Sequence, residues 1–154
     1  MEKILISRCL LGEPVRYDAK SKALNHQIIR HWQQQQRLVP ICPEVIGGLP
    51  TPRPPAELNQ RLNKVLTESG DDKTAEFASG ANQALALCQK HQIKYALLKE
   101  RSPSCGSTFI YDGSFKQQLI SGQGITTALL RKHGIAVYSE ETIEQLINVL
   151  SQEI

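Results

Sequence analysis

With 154 residues and a formal net charge of +3, the chain has the length of one domain and lacks the basic stripe of a nucleic-acid binder. Hydrophobic residues make up 40% and charged residues 21%, which excludes a disordered or fibrous chain. The first apolar run, Ile4-Leu5-Ile6, turns polar at Ser7-Arg8, too short for a secretion signal or a membrane span. A cytoplasmic protein is expected, with no membrane partner and no nucleic acid duplex, as a monomer or homodimer. In a reducing compartment its four cysteines point to metal ligation or thiol chemistry rather than to disulfides.

Lys3 to Ser7 reads as a short buried strand leading into Cys9. From about Ser21 to Gln36, Leu24, Ile28, Ile29 and Trp32 recur at helical spacing. Leu38-Val39-Pro40-Ile41 is a second strand, followed at once by Cys42-Pro43-Glu44. The prolines and glycines between Gly47 and Pro55 forbid regular structure and predict a stiff, extended loop able to wall a pocket. The Leu58–Leu66 stretch alternates too weakly to choose between a strand pair and a loop flank.

A helix is expected from about Asp72 to His91, its apolar stripe including Phe77, Ala81, Ala84 and Cys88. Tyr95-Ala96-Leu97-Leu98 is a third buried strand, emptying into Lys99-Glu100-Arg101-Ser102-Pro103-Ser104-Cys105-Gly106. Phe109–Tyr111 and Gln118–Ile120, separated by Asp112-Gly113, predict a small hairpin. A helix from Gly124 to His133 stops at Gly134, a strand follows over Ile135–Tyr138, and a last helix begins after the capping pattern Ser139-Glu140-Glu141-Thr142.

Strands alternating with helices imply a single α/β domain over residues 1–154, a Rossmann-like three-layer sandwich with a mostly parallel sheet. Ligand sites in such sheets form beyond the carboxyl ends of the strands. Cys9, Cys42 and Cys105 each follow a predicted strand, so the architecture should gather them at one edge. Cys88 lies on an apolar helix face and reads as packing. Three thiolates with an open position suit a zinc ion, an iron–sulfur cluster or a redox thiol site, and spacing alone does not choose among them.

The segments Cys9-Leu10-Leu11-Gly12, Cys42-Pro43-Glu44-Val45-Ile46-Gly47-Gly48-Leu49-Pro50-Thr51-Pro52-Arg53-Pro54-Pro55-Ala56-Glu57 and Ser102-Pro103-Ser104-Cys105-Gly106 resemble the thiouracil desulfidase family. Ile110-Tyr111-Asp112-Gly113-Ser114-Phe115 and Gly122-Gln123-Gly124-Ile125-Thr126 extend the resemblance over nearly the whole chain. One departure is Ala19, where that family leads one to expect glycine after Tyr17-Asp18. The resemblance implies a [4Fe-4S] cluster held by Cys9, Cys42 and Cys105, with one iron lacking a protein ligand. It also implies hydrolytic conversion of C=S to C=O in a thiolated pyrimidine, free or as a nucleoside or nucleotide, with release of sulfide and no net redox change. Glu44 and a serine of the Ser-Pro-Ser-Cys motif, Ser102 in preference to Ser104, match the acid–base and hydrogen-bonding positions.

Each of these roles has a plainer counterpart. Glu44 could instead pair with an arginine such as Arg53, and Ser102 could be a turn hydroxyl. Arg16, Arg53, Lys99 and Arg101 could bind substrate, although solvated surface charge is the simpler expectation for each. A sulfur-carrier module or a zinc hydrolase would share the three cysteines.

Overall fold

The computed structural model describes residues 1–20 and 22–152. Its centre is a four-stranded, wholly parallel sheet in the order Leu38–Ile41, Ile4–Ser7, Tyr95–Leu98 and Ala136–Ser139, framed by helices. In chain order the elements are β1 (Ile4–Ser7), α1 (Gln27–Gln34), β2 (Leu38–Ile41), α2 (Pro43–Ile46), β3 (Ala56–Asn59), β4 (Lys64–Thr67), α3 (Thr74–His91), β5 (Tyr95–Leu98), β6 (Phe109–Tyr111), β7 (Leu119–Ser121), α4 (Ile125–Lys132), β8 (Ala136–Ser139) and α5 (Ile143–Gln152). The remaining strands form two antiparallel hairpins, β3–β4 and β6–β7, outside the main sheet.

Successive side chains of a strand point to opposite faces, and the two halves of the core follow that alternation. Leu5, Ala96, Leu98 and Val137 pack with Ala84, Cys88 and Leu130 beneath α3 and α4. Ile4, Ile6 and Leu97 pack with Ile29, Trp32, Ile143 and Leu146 beneath α1 and α5. The three layers expected from the sequence are therefore present, and Cys88 is core packing at 1% exposure. Connections leave β1 and β5 toward opposite edges of the sheet, which opens a crevice beyond their carboxyl ends. No helix among the described residues is long and apolar enough to cross a membrane.

Three local differences from the sequence expectation have physical causes. Ser21, where the first helix was expected to start, lies outside the described residues, and α1 begins only at Gln27. Before it, Lys22 and Leu24 donate their amides to the carbonyls of Cys9 and Leu10, so the chain stays extended against the turn that carries Cys9. His26 then caps α1, its Nδ1 accepting the amide of Ile28. The ambiguous Leu58–Leu66 stretch is the β3–β4 hairpin, in which Leu58 and Val65 bury while the residues beside them are half-buried or exposed. Immediately after Cys42 the chain makes one unanticipated helical turn, α2, with Pro43 at its first position, where a missing amide costs nothing.

α2 is seated by Gly80 in the middle of α3. A Cβ at residue 80 would overlap the carbonyl of Pro43, so glycine, unfavourable in a helix interior, is what lets α3 approach the Cys42–Glu44 turn. At the other end of the site, a Cβ on Gly124 would overlap the backbone of Ser104, and α4 begins hard against the cysteine loop.

Candidate active site

Cys9 lies in the 3-10 turn that follows β1, Cys42 in extended conformation between β2 and α2, and Cys105 in the loop after β5. All three are free thiols and all three line one cavity of about 480 Å³, a volume suited to a small ligand. Arg16, Glu44, Arg53, Lys99 and Ser102 line it too. Burial, reinforced by the neighbouring Cys42, pushes the Cys9 thiol up to about 11. Burial also raises Cys42 against the opposing pull of the Val45 amide, and raises Cys105 further, with Glu44, Cys42 and Cys9 adding to the effect. These three sulfurs thus sense one another, and holding them all as thiolates requires positive charge between them.

No three Cys, His, Asp or Glu side chains among the described residues are gathered closely enough to chelate a single metal ion. Ser7, at the end of β1 and 3% exposed, donates its hydroxyl toward Cys105 Sγ at 3.9 Å and accepts the Lys99 amide at 3.0 Å. Nothing in the sequence patterning singled out this contact.

Glu44 pairs with Arg53 and lines the cavity beside the three cysteines. Its Oε1 accepts Arg53 Nε at 3.2 Å and its Oε2 accepts the Ser102 hydroxyl at 3.3 Å. Ser102 Oγ in turn accepts the amides of Ser104 and Cys105 at 3.0 and 3.1 Å, so the hydroxyl proton is left to point at Glu44. Ser104 is fully buried and bonds Thr126 Oγ1 at 2.8 Å, away from this network. The amides of Ile125, Thr126 and Thr127 at the start of α4 bond the carbonyls of Pro103 and Ser104, and Thr127 Oγ1 donates to the Cys105 carbonyl. The Gly122-Gln123-Gly124 stretch accordingly starts a helix that grips the cysteine loop.

Arg53 and Lys99 depart from the surface-charge expectation. Arg53 is 9% exposed, and its guanidinium also donates to the carbonyls of Pro50 and Val15 and to Thr51 Oγ1. The proline-rich loop is thereby folded around one arginine, which fixes Glu44. Lys99 pairs with Glu140 at 2.6 Å and donates to the Glu100 carbonyl, while Glu140 accepts the Glu100 amide. Only Arg101, paired with Glu141 at 3.6 Å, sits at the surface.

The sequence reading also passed over Glu100, which is 2% exposed. Burial would raise its carboxyl, but bonds from the Thr108 amide, the Ser139 hydroxyl and Ser107 outweigh burial and hold it at about 2. That carboxylate closes the loop of residues 100–108 around Cys105, with the Ser107 amide at 2.8 Å and the Thr108 amide at 2.9 Å. The available signal was an acidic residue two positions past the end of an apolar strand.

Residues 4–142, nearly the whole folded chain, match the 2-thiouracil desulfurase family. The chain belongs to that family. Among its relatives, the Bacillus subtilis (strain 168) protein YbbK is 40% identical over 152 residues, which cover 94% of this chain and 99% of YbbK. A solved structure named as the [4Fe-4S]-dependent thiouracil desulfidase TudS is 53% identical, covers 98% of this chain and 99% of its own, and superposes with a TM-score of 0.95. Within this desulfurase-family chain, Ala19 adopts φ 59°, left-handed backbone that explains why glycine suits the position.

Proposed function

We propose that this chain is a [4Fe-4S]-dependent desulfidase that hydrolyses the C=S group of a thiolated pyrimidine, with Cys9, Cys42 and Cys105 as cluster ligands and Glu44 and Ser102 as the acid–base pair. The observation that carries this reading is that the three thiols line the same cavity as the hydrogen-bonded Glu44–Ser102 pair. The likeness to a solved [4Fe-4S] thiouracil desulfidase supports it.

The donor set fits such a cluster. A tetrahedral zinc ion needs its sulfurs at about 2.3 Å from one centre. A four-iron cluster takes each thiolate on a different iron, which accommodates three thiols that share a cavity without converging on a point. The lining cations Arg16 and Lys99 both lower the Cys9 thiol, favouring its ligating form. Bound there, the cluster supplies a Lewis acid that polarises the substrate's C=S bond.

The protein supplies the proton chemistry. Glu44 takes a proton from water as its oxygen adds to the carbon bearing sulfur. Arg53 holds one carboxylate oxygen and Ser102 the other, so the carboxylate cannot rotate away. The C–S bond then breaks and the proton passes to the departing sulfur. Overall C=S and one water become C=O and one hydrogen sulfide, with no electron gained or lost. A neutral or anionic substrate meets a wall that includes Arg8, Arg16, Lys22 and Arg101, compatible with a free base, a nucleoside or a nucleotide.

Anaerobic purification followed by sulfide-release assays on 2-thiouracil, 4-thiouracil and 4-thiouridine monophosphate tests this. A brown protein with about four irons per chain that releases sulfide from at least one of them is expected. A colourless zinc protein, or an iron-loaded one inert toward every substrate, would sink it.

A further inference from the structure

The loop of residues 112–117 is the part of the cavity wall that this desulfuration chemistry does not use. It joins β6 to β7, and Gly113, Phe115 and Gln117 hold left-handed backbone at φ 94°, 58° and 57°. Glycine enters that region freely. A bulky residue such as Phe115 does not, and such strain persists only where surrounding contacts impose it. The imposing contact is Glu57 on β3, whose Oε1 accepts the amides of Gly113 at 3.0 Å and Phe115 at 3.2 Å. Asp112 folds the loop tip from within, its Oδ1 accepting the amide and hydroxyl of Ser114. Glu57, Tyr111 and Phe115 line the same cavity as the three cysteines. The fold therefore accepts an unfavourable backbone to bring a half-buried aromatic residue to the cavity wall, joining the end of one motif, Glu57, to the end of another, Phe115.

We infer that Phe115 forms the stacking wall for the substrate's pyrimidine ring and that Glu57 is the positioning residue that holds it there. This rests on the desulfidase reading. Stacking uses the ring face and not the thio group, so it contributes alike to substrate, transition state and the uracil product. Such uniform binding is read in KM and leaves kcat nearly unchanged.

Phe115→Gly removes the ring and relieves the left-handed strain at once, so a loss in this variant cannot be ascribed to added strain. KM for the thiolated base should rise about 5- to 150-fold, the range expected for one base–aromatic stack. Turnover at saturation and the visible absorbance should stay near wild type. Uracil, which cannot react, should lose the same factor in affinity when its binding is followed by ligand-observed NMR. Phe115→Tyr should restore both values. Glu57→Ala should reproduce the KM rise, and Glu57→Gln, which keeps a carbonyl acceptor for the two amides, should recover most of it.

Unchanged KM and uracil affinity in Phe115→Gly, or an equal loss in Phe115→Tyr, would overturn the stacking wall. A Glu57→Ala protein that loses kcat or visible absorbance rather than KM would overturn the positioning role. The uracil measurement needs no turnover. An inert wild-type enzyme would thus defeat the desulfidase reading while the ring contact is still measured.

Discussion

Ser102 donates its hydroxyl to Glu44 Oε2 across 58 residues of sequence, joining the loop after β5 to the turn after β2. Because two amides already occupy the Ser102 oxygen, that donation is directional. The pair therefore behaves as one unit at the mouth of the crevice.

If Glu44 moves the proton, Glu44→Gln keeps the shape and the cysteines while removing the base. Turnover should fall by about 10²- to 10⁴-fold with the cluster's visible absorbance retained. Ser102→Ala should fall less, since Arg53 still holds the carboxylate. Sulfide release at saturating substrate decides it, and retained activity in Glu44→Gln removes that residue from the mechanism.

Ser104 makes a contrasting prediction. Its hydroxyl is wholly buried against Thr126, so Ser104→Ala strands a partner rather than a reactant. Stability should drop by about 1–3 kcal/mol in denaturant titrations, the cost of an unsatisfied buried hydroxyl. Loss of activity at full stability would instead place Ser104 in the chemistry.

Glu100 predicts an acid limb. Its folded carboxyl at about 2 lies below the 4.5 of a free side chain, so its contribution is complete above pH 4.5 and drains away as pH falls toward 2. The contribution at neutral pH is about 3 kcal/mol. Glu100→Gln should be less stable at neutral pH, with the gap to wild type closing as the solution is acidified. Parallel stability–pH curves for the two proteins would contradict this.

By helix propensity alone, Gly80→Ala would stabilise α3 by about 1 kcal/mol. The overlap with Pro43 reverses that sign, because α2 must shift and carry Cys42 and Glu44 with it. A lower melting temperature together with reduced iron content is expected. A melting temperature at or above wild type would show that α2 yields freely.

Ala19→Gly tests the one departure from the family pattern. At φ 59° the Cβ opposes the backbone, so glycine should raise stability by about 0.5–1 kcal/mol in chemical denaturation.

The layers and the cysteine edge were legible because Ile4 to Ser7, Leu38 to Ile41 and Tyr95 to Leu98 are short apolar runs, the first two followed almost at once by Cys9 and Cys42 and the third by a loop that carries Cys105. Periodicity reports burial on one element at a time. It could not show that Arg53 is buried, since its partners Glu44, Val15 and Pro50 meet it only in the folded loop. The late start of α1 was likewise hidden, because Lys22 and Leu24 stay extended by bonding Cys9 and Leu10 rather than through any breaker of their own. Gly80 costs helix propensity wherever it stands in α3, and only the folded neighbour it admits accounts for it.

The Cys105 loop is fastened from downstream: by Thr126 and Thr127 at the head of α4, and by Ser139 and Glu140 at the end of β8. A ribosome must therefore release the chain through Glu140 before the third cysteine has a fixed place. Cys9 and Cys42 lie upstream of every one of these fastenings. Under the proposed reading, loading of the site waits on the folding of α4 and β8 rather than guiding it.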